Sequence, residues 1–403
     1  MSSVIASIFA SVMVFITVRT SGLNDAGMLS FASAIAGLSQ MLVMFSVRPI
    51  QCTDINQEFQ FNDYLSLRVC STLATSVIVI LFLIISGFEA TRLYVILLLY
   101  FLYSTDAFVD VFMGDLQQKG RMRVAGRMRA CAYGMCAVVF TVTAVITRSI
   151  IIPLTISAIV NFVVYFIWIW VYRREFKGVR VKFNMVVKRK LILTLLPLFV
   201  SSTMYVFLQN ANRYFLGFMD TDEAVAVITI LLVPTSFLII LCTTLFQGAE
   251  MTKTAGLFTA GLLKQMSKRV NKQLLIATAL SAFFILCSLS FGIPLLSWVY
   301  NTNLSMYKQE FILVTLSAVS FVYLAILGAA SVTMRLQKLG LINMIAIAVI
   351  TVPVTLFLVS KYGLLGAAYT KLVIFVPFTI STYAIYRIKL KQFMLSSTAK
   401  TGA

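Results

Sequence analysis

Ile151–Tyr172 reads IIPLTISAIVNFVVYFIWIWVY, and the segment that follows it directly, Arg173–Lys190, reads RREFKGVRVKFNMVVKRK. The first stretch carries no charged residue. As a helix rising 1.5 Å per residue it is long enough to cross the roughly 30 Å hydrocarbon layer of a bilayer. A helix is one of the two structures that can do so, because it pairs every backbone N–H and C=O within itself. The second stretch is dense in lysine and arginine and contains no apolar block, the signature of a connection held on the cytoplasmic side.

The same alternation extends in both directions. Before this pair lie apolar blocks at Met1–Val18, Gly27–Ser46, Val69–Gly87, Leu93–Phe112 and Ala130–Thr147, and after it at Leu191–Met219, Ala224–Phe246, Leu274–Val299, Phe311–Val332, Leu341–Val359 and Leu364–Ile385. The sequence therefore predicts an all-α integral membrane protein with twelve spans. Met1–Val18 opens with neither a basic region nor a small-residue cleavage site and is read as a retained helix. Hydrophobic residues make up 60% of the 403 positions and charged residues only 12%, about half the charged share of a soluble domain.

Most lysines and arginines fall in alternate loops, which predicts that those loops and both termini are cytoplasmic. Only Arg19, Arg92, Arg148, Lys308 and Lys361 lie on the opposite side, and Arg213 and Lys371 lie inside apolar blocks. The formal charge of +19 sits in short segments beside spans rather than on one face of a domain. That distribution fits anionic membrane lipid as a partner and excludes nucleic acid. Six spans precede Arg173–Lys190 and six follow. The expected division is an N-terminal lobe over 1–172, a linker over 173–190, a C-terminal lobe over 191–386 and a tail over 387–403. The polar stretch Glu250–Lys272 is expected to hold a short amphipathic helix at the inner surface.

The chain has no histidine, so any proton coupling must use carboxylates. Its six cysteines form no CxxC pair and are read as free thiols, with no metal site and no cofactor. Asp106 and Asp110 stand i, i+4 in the fourth span, which puts both carboxylates on one helix face. Two readings are open: a proton or sodium coupling site, or pairing of Asp110 and Asp115 with the arginines of the adjoining loop. Arg213, preceded by Gln209, Asn210 and Asn212, either reaches the outer headgroups or offers a cation to an anionic substrate. Lys371 has the same two readings. Prolines at 197, 234, 294, 353 and 377 fall in or beside spans, where they bend helices.

Three stretches then carry a resemblance. DAGMLSFASAIAGLSQMLVMFSVRPIQCTDINQEFQFNDYLSLR (Asp25–Arg68), GDLQQKGRMRVAGRMR (Gly114–Arg129) and NANRYFLGFM (Asn210–Met219) resemble, in order and at the corresponding spans, bacterial polysaccharide-export flippases. These are the lipid-linked oligosaccharide branch of the multidrug/oligosaccharidyl-lipid/polysaccharide exporter superfamily. The resemblance implies two six-helix lobes around a central cationic cavity and alternating access. The implied cargo is an undecaprenyl-pyrophosphate-linked repeat unit, moved from the inner to the outer leaflet beside a polysaccharide polymerase and glycosyltransferases. On this reading Arg213, Arg48, Arg68 and Arg19 meet the anionic head, with Asn210, Gln209 and Lys371 lining its path; ordinary positive-inside anchoring is the competing reading for Arg48 and Arg68. A cation-coupled multidrug exporter of the same fold, which should carry a carboxylate in the first span, and a membrane polymerase or ligase, which should carry acid/base groups in a structured outer loop, are the rivals. The first span has no carboxylate and the outer loops are short.

Overall fold

The computed structural model describes the chain except residues 1, 55–57, 177–184, 247–248 and 402–403, with side chains further left aside at 2–7, 53, 185–188, 249, 251–252 and 396–401. Every described element is helical: α1 Ser2–Ser21, α2 Leu23–Met44, α3 Val47–Thr53, α4 Phe61–Ser86, α5 Ala90–Gln118, α6 Met122–Thr147, α7 Ile151–Val171, α8 Met185–Met219, α9 Asp222–Leu231, α10 Val233–Phe246, α11 Ala249–Thr259, α12 Leu263–Cys287, α13 Ile293–Tyr300, α14 Lys308–Thr333 and α15 Gln337–Thr401. Each of the twelve apolar blocks carries helix. Ten described helical stretches are long and apolar enough to cross a membrane, and Ile8–Ser21 adds a shorter one. The stretch Gln337–Leu395 holds two blocks, because Gly363 (φ 52°, ψ −126°) breaks the helix between them. The chain is a multi-pass membrane protein.

The surface shows why. On α4 the stripe Arg68, Ser71, Thr75 and Val79 is buried, at i, i+3, i+4 spacing, while Leu73, Val77, Ile80, Leu81, Ile84 and Ile85 are exposed. A soluble helix would turn these faces the other way. With lipid as the solvent, exposed aliphatic side chains cost nothing and the polar stripe finds its partners inside the bundle.

Prolines mark the interruptions. Pro234 follows the break between α9 and α10, and Pro294 opens α13 after a π-helical turn at Ser288–Gly292. There Gly292 lets the helix close on α14, since a Cβ would stand 2.6 Å from the Phe311 ring. The stretch Glu250–Lys272, expected as one amphipathic helix, is divided by Gly261 (φ 73°) into α11 and the first turns of α12.

Two compact units emerge: residues 1–217 with 221–226, and 218–220 with 227–403. The first takes in most of α8, which the expected boundary at 173–190 assigns to the second half. The side chains explain this: Tyr214 donates to the Ala34 carbonyl (3.1 Å), the Phe199 and Phe45 rings stack at 4.2 Å, and the Ser202 and Ser46 hydroxyls lie 2.9 Å apart. Part of the linker, 177–184, lies outside the described residues. In the first unit α5 is the central helix, packed by α2, α3, α4, α6 and α7; in the second α14 has that place, packed by α10, α11, α12 and α15.

Candidate substrate-binding site

Burying α5 on most sides also buries its three carboxylates, of which Asp106 and Asp110 share one face. Asp106 is 2% exposed and Asp110 3% exposed, and isolated charges there would be prohibitively costly. Three arginines from three other helices answer them. Arg129 of α6 sets Nε 3.1 Å from Asp106 Oδ1 and Nη2 2.8 Å from Asp110 Oδ1, so one guanidinium spans both acids. Arg48 of α3 donates to Asp110 Oδ1 at 2.6 Å and holds Gln117 Oε1 at 3.1 Å. Arg68 of α4 donates to the Val43 carbonyl at 2.6 Å and stands 4.0 Å from Asp110 Oδ2. Tyr165 of α7 and Gln40 of α2 complete Asp106, at 2.5 and 3.0 Å. Six helices meet at one charge network.

The network carries three guanidiniums against two carboxylates, so its side chains sum to one positive charge. Asp106 receives Gln40, Arg129 and Tyr165, and Asp110 receives Arg48 and Arg129. Neither acid is an open cation ligand in this arrangement. Among the described residues no cluster of acids and cysteines could hold a metal ion.

The geometry also explains what the sequence motifs do. Phe45 and Ser46 turn in the left-handed region (φ 44° and 49°), an unfavourable conformation for side-chain-bearing residues. That turn reverses the chain so that α3 lies back along α5. Gln51 then bonds the Val111 carbonyl at 3.1 Å and fits only because Gly114 has no Cβ, which would stand 2.3 Å from Gln51 Oε1. Asp54 receives the Glu58 and Phe59 amides at 2.9 and 3.0 Å and the Tyr64 hydroxyl at 3.0 Å. These contacts outweigh its desolvation and hold its carboxyl below the usual range. From the second motif, Gln118 donates to the Asp54 carbonyl at 2.8 Å, Lys119 meets Asp115 at 2.6 Å, and Arg121 meets Glu175 at 2.8 Å. The first two motifs interlock with each other.

Arg213 stands elsewhere in the same unit. It is half-buried; its Nη1 donates to Asn210 Oδ1 at 3.2 Å, while its Nε is buried with no hydrogen-bond partner. Asn212 beside it is fully buried with neither amide atom bonded. Gln209 bonds Tyr205 on the same helix. Tyr103, one turn before Asp106 on α5, interacts electrostatically with both Arg213 and Asp106, so the Arg213 group adjoins the charge network.

Two candidates remain. Arg19 is exposed, with its guanidinium 5.1 Å from the Phe15 ring centre. Lys371, in the second unit, is 3% exposed, its ammonium 5.5 and 5.4 Å from the ring centres of Phe321 and Phe375. Sequence reasoning offered Arg129 to Asp110 only as one of the arginines of the adjoining loop, and passed over Tyr165 and Gln40, which look like ordinary span residues. The available signal was that Arg129 abuts an apolar block and that Gln40 lies within one. Arg92, read as an outer-loop cation, is a brace: it bonds Asp222 at 3.1 Å and the Gly217 carbonyl at 2.7 Å, with its guanidinium over Phe31 and Phe88.

The fold is shared with known transporters. An inward-facing multidrug resistance MATE family transporter of the MOP superfamily aligns with TM-score 0.71 at 14% identity, over 96% of this chain and 96% of that one. The lipid II flippase MurJ, in an inward closed conformation, aligns with TM-score 0.71 at 13% identity, over 98% and 89%. A MOP superfamily transporter from Pyrococcus furiosus, for which a reversed polarity of the binding pocket suggests a different function, aligns with TM-score 0.61 at 13% identity, over 98% and 94%. No family model matches the sequence. No curated protein matches it either.

Proposed function

We propose that this protein is a transporter that flips an undecaprenyl-pyrophosphate-linked oligosaccharide from the inner to the outer leaflet of a bacterial cytoplasmic membrane, by alternating access and with both termini cytoplasmic. The observation that carries the reading is the excess of buried cations. Three arginines meet two acids in one unit, and Arg213 keeps a buried Nε without a partner beside them. An anionic diphosphate is what such donors accept, and the planar guanidinium suits it. The fold shared with a lipid II flippase supports the class of cargo. Each negative charge moved outward across an inside-negative potential gains about 2.3 kcal/mol per 100 mV, so export needs no coupling ion. Polymerase and glycosyltransferases are the partners this role calls for.

A cation-coupled multidrug exporter is the second reading, favoured by the equal likeness to a MATE transporter. Against it stand a first span without carboxylates and two acids already occupied by arginines. The test is reconstitution in vesicles, scoring exposure of a fluorescent polyprenyl-diphosphate oligosaccharide against efflux of a cationic dye. The expected result is lipid flipping without dye efflux, lost in Arg213→Ala while the protein stays inserted. Dye efflux driven by a proton or sodium gradient, with no flipping, overturns the proposal.

A further inference from the structure

The second unit contains an open groove of about 450 Å³ between α12, α14 and α15, lined by Asn271, Leu274, Leu275, Thr278, Tyr323 and the Thr379–Tyr383 turn. Its walls are mixed in a particular way. Leu275 is 71% exposed and Ile380 63% exposed, so the groove presents aliphatic surface left uncovered among the described residues. Among the aliphatics runs a line of hydroxyls, with Thr278 and Tyr323 bonded at 2.6 Å.

Charge is placed at one end. Asn271, Leu274, Leu275 and Thr278 share one face of α12, and Lys268 and Lys264 extend that face one and two turns toward its start. On α15, Tyr383 is followed at helical spacing by Arg387 and Lys391. All four basic residues are exposed. Ser267 of α12 bonds Tyr386 of α15, so the start of one wall and the end of the other meet. The four cations flank that junction in sequence, at helical spacing from the residues that line the groove.

We propose that this groove is a binding site for one anionic phospholipid of the inner leaflet, its acyl chain along Leu274, Leu275 and Ile380 and its phosphate among Lys264, Lys268, Arg387 and Lys391. Charge complementarity selects the occupant: an apolar slot closed by cations at one end fits a phosphate on a hydrocarbon tail, and basic pockets between cytoplasmic helix ends bind anionic headgroups. The volume lies within the range of ordinary ligand sites. The site lies wholly within the second unit; it rests on the proposed orientation, which puts this end of the groove on the cytoplasmic side, and holds whatever the cargo.

The full-length protein, purified in detergent, is titrated with dioleoyl phosphatidylglycerol and with dioleoyl phosphatidylcholine and read by native mass spectrometry, with photo-crosslinking from a diazirine in the acyl chain. One phosphatidylglycerol is expected to be retained in preference to phosphatidylcholine, with crosslinks on α12, α14 and α15. Lys268→Gln with Arg387→Gln should weaken retention roughly 30-fold, at about fivefold for each cation beside an anionic headgroup. Leu275→Trp, at an exposed wall position, should block the crosslink while leaving the protein monodisperse. Equal retention of the two lipids, an unchanged double variant, or crosslinks elsewhere overturns the proposal, as does displacement of phosphatidylglycerol by equimolar polyprenyl phosphate, which would assign the groove to the carrier lipid.

Discussion

Replacing Asp110 by Asn removes one of two negative charges facing three guanidiniums while keeping the side chain's shape. Arg48 at 2.6 Å loses its charge partner, Arg129 keeps only Asp106, and Arg68 loses the carboxylate 4.0 Å away. Breaking a buried ion pair on one side costs about 3–5 kcal/mol, because the remaining charge is stranded. The network would then carry three positive charges against one. Glu58→Gln is the control, since Glu58 and its partner Lys190 are both mostly exposed and such pairs contribute about 0–1 kcal/mol. Thermal unfolding in detergent is the assay: a large fall is expected for Asp110→Asn and little change for Glu58→Gln. Adding Arg48→Gln to Asp110→Asn should recover stability, a coupling of about 0.5–3 kcal/mol of favourable sign. A parent-like Asp110→Asn, or a double variant whose losses simply add, would refute the reasoning. The joint replacement of Asp106 and Asp110 by Asn is expected on sequence grounds to leave export intact if the membrane potential suffices. The buried arginines now imply that it loses the folded protein before transport can be measured.

Two further outcomes follow from local geometry. Gly27→Ala should sharply reduce folded protein in the membrane, because its Cβ would stand 1.6 Å from the backbone carbonyl of Asp222, whereas Gly126→Ala, with nothing within 4 Å, should be neutral or gain up to about 1 kcal/mol from helix propensity. Glu250 joins α11 to α12 through Arg269 (2.8 Å) and Gln273, with Lys253 of its own helix also bonded to it, and these hydrogen bonds, Arg269 first, hold its carboxyl below the ordinary 4.5. A depressed native value gives stabilisation that is present above the unfolded-state value and lost as pH falls through the native one. Hydrogen exchange of α11 should therefore speed up on acidification below about pH 4.5, and Glu250→Gln should abolish that pH dependence; an unchanged acid response in the variant refutes it.

The fold was legible because lipid imposes a one-dimensional rule: long apolar blocks alternate with basic loops, and all twelve blocks carry helix. Helix existence therefore came through better than helix assignment. α8 follows the linker in sequence, yet Tyr214 and Phe199 fasten it to the first unit, and no periodicity reports such a contact. The site was half legible. The i, i+4 spacing of Asp106 and Asp110 placed two acids on one face, but the partners that decide their role come from positions 19 to 66 residues away in sequence. Arg48 and Arg68 looked equally suited to anchoring and to substrate, because the Asp110 they face lies on a distant helix; for Arg48, a left-handed turn at Phe45 and Ser46 sets where α3 points, and neither residue type signals one. Lys371 hides in the same way: a lysine near a span end looks like a snorkelling cation until Phe321 and Phe375 are seen closing over it.

The surplus cation can be assigned by asking which arginine the acids need least. Arg129 touches both acids and Arg48 bonds Asp110 directly, while Arg68, 0% exposed, reaches Asp110 only at 4.0 Å and leaves its Nε and Nη2 without hydrogen bonds. Its one strong bond is to the Val43 carbonyl, which Ser71 also bonds at 2.7 Å. Arg68→Met would leave two guanidiniums on two carboxylates and keep Val43 satisfied through Ser71. A buried ion replaced by an apolar side chain of similar volume is often neutral or stabilising by about 1–4 kcal/mol. If Arg68 is retained to keep the network positive for an anionic cargo, Arg68→Met should match or exceed the parent in thermal stability and lose lipid flipping in vesicles. A destabilised Arg68→Met would show instead that the arginine holds α4 to α2, and the positive excess would then be a by-product of packing rather than a device for binding phosphate.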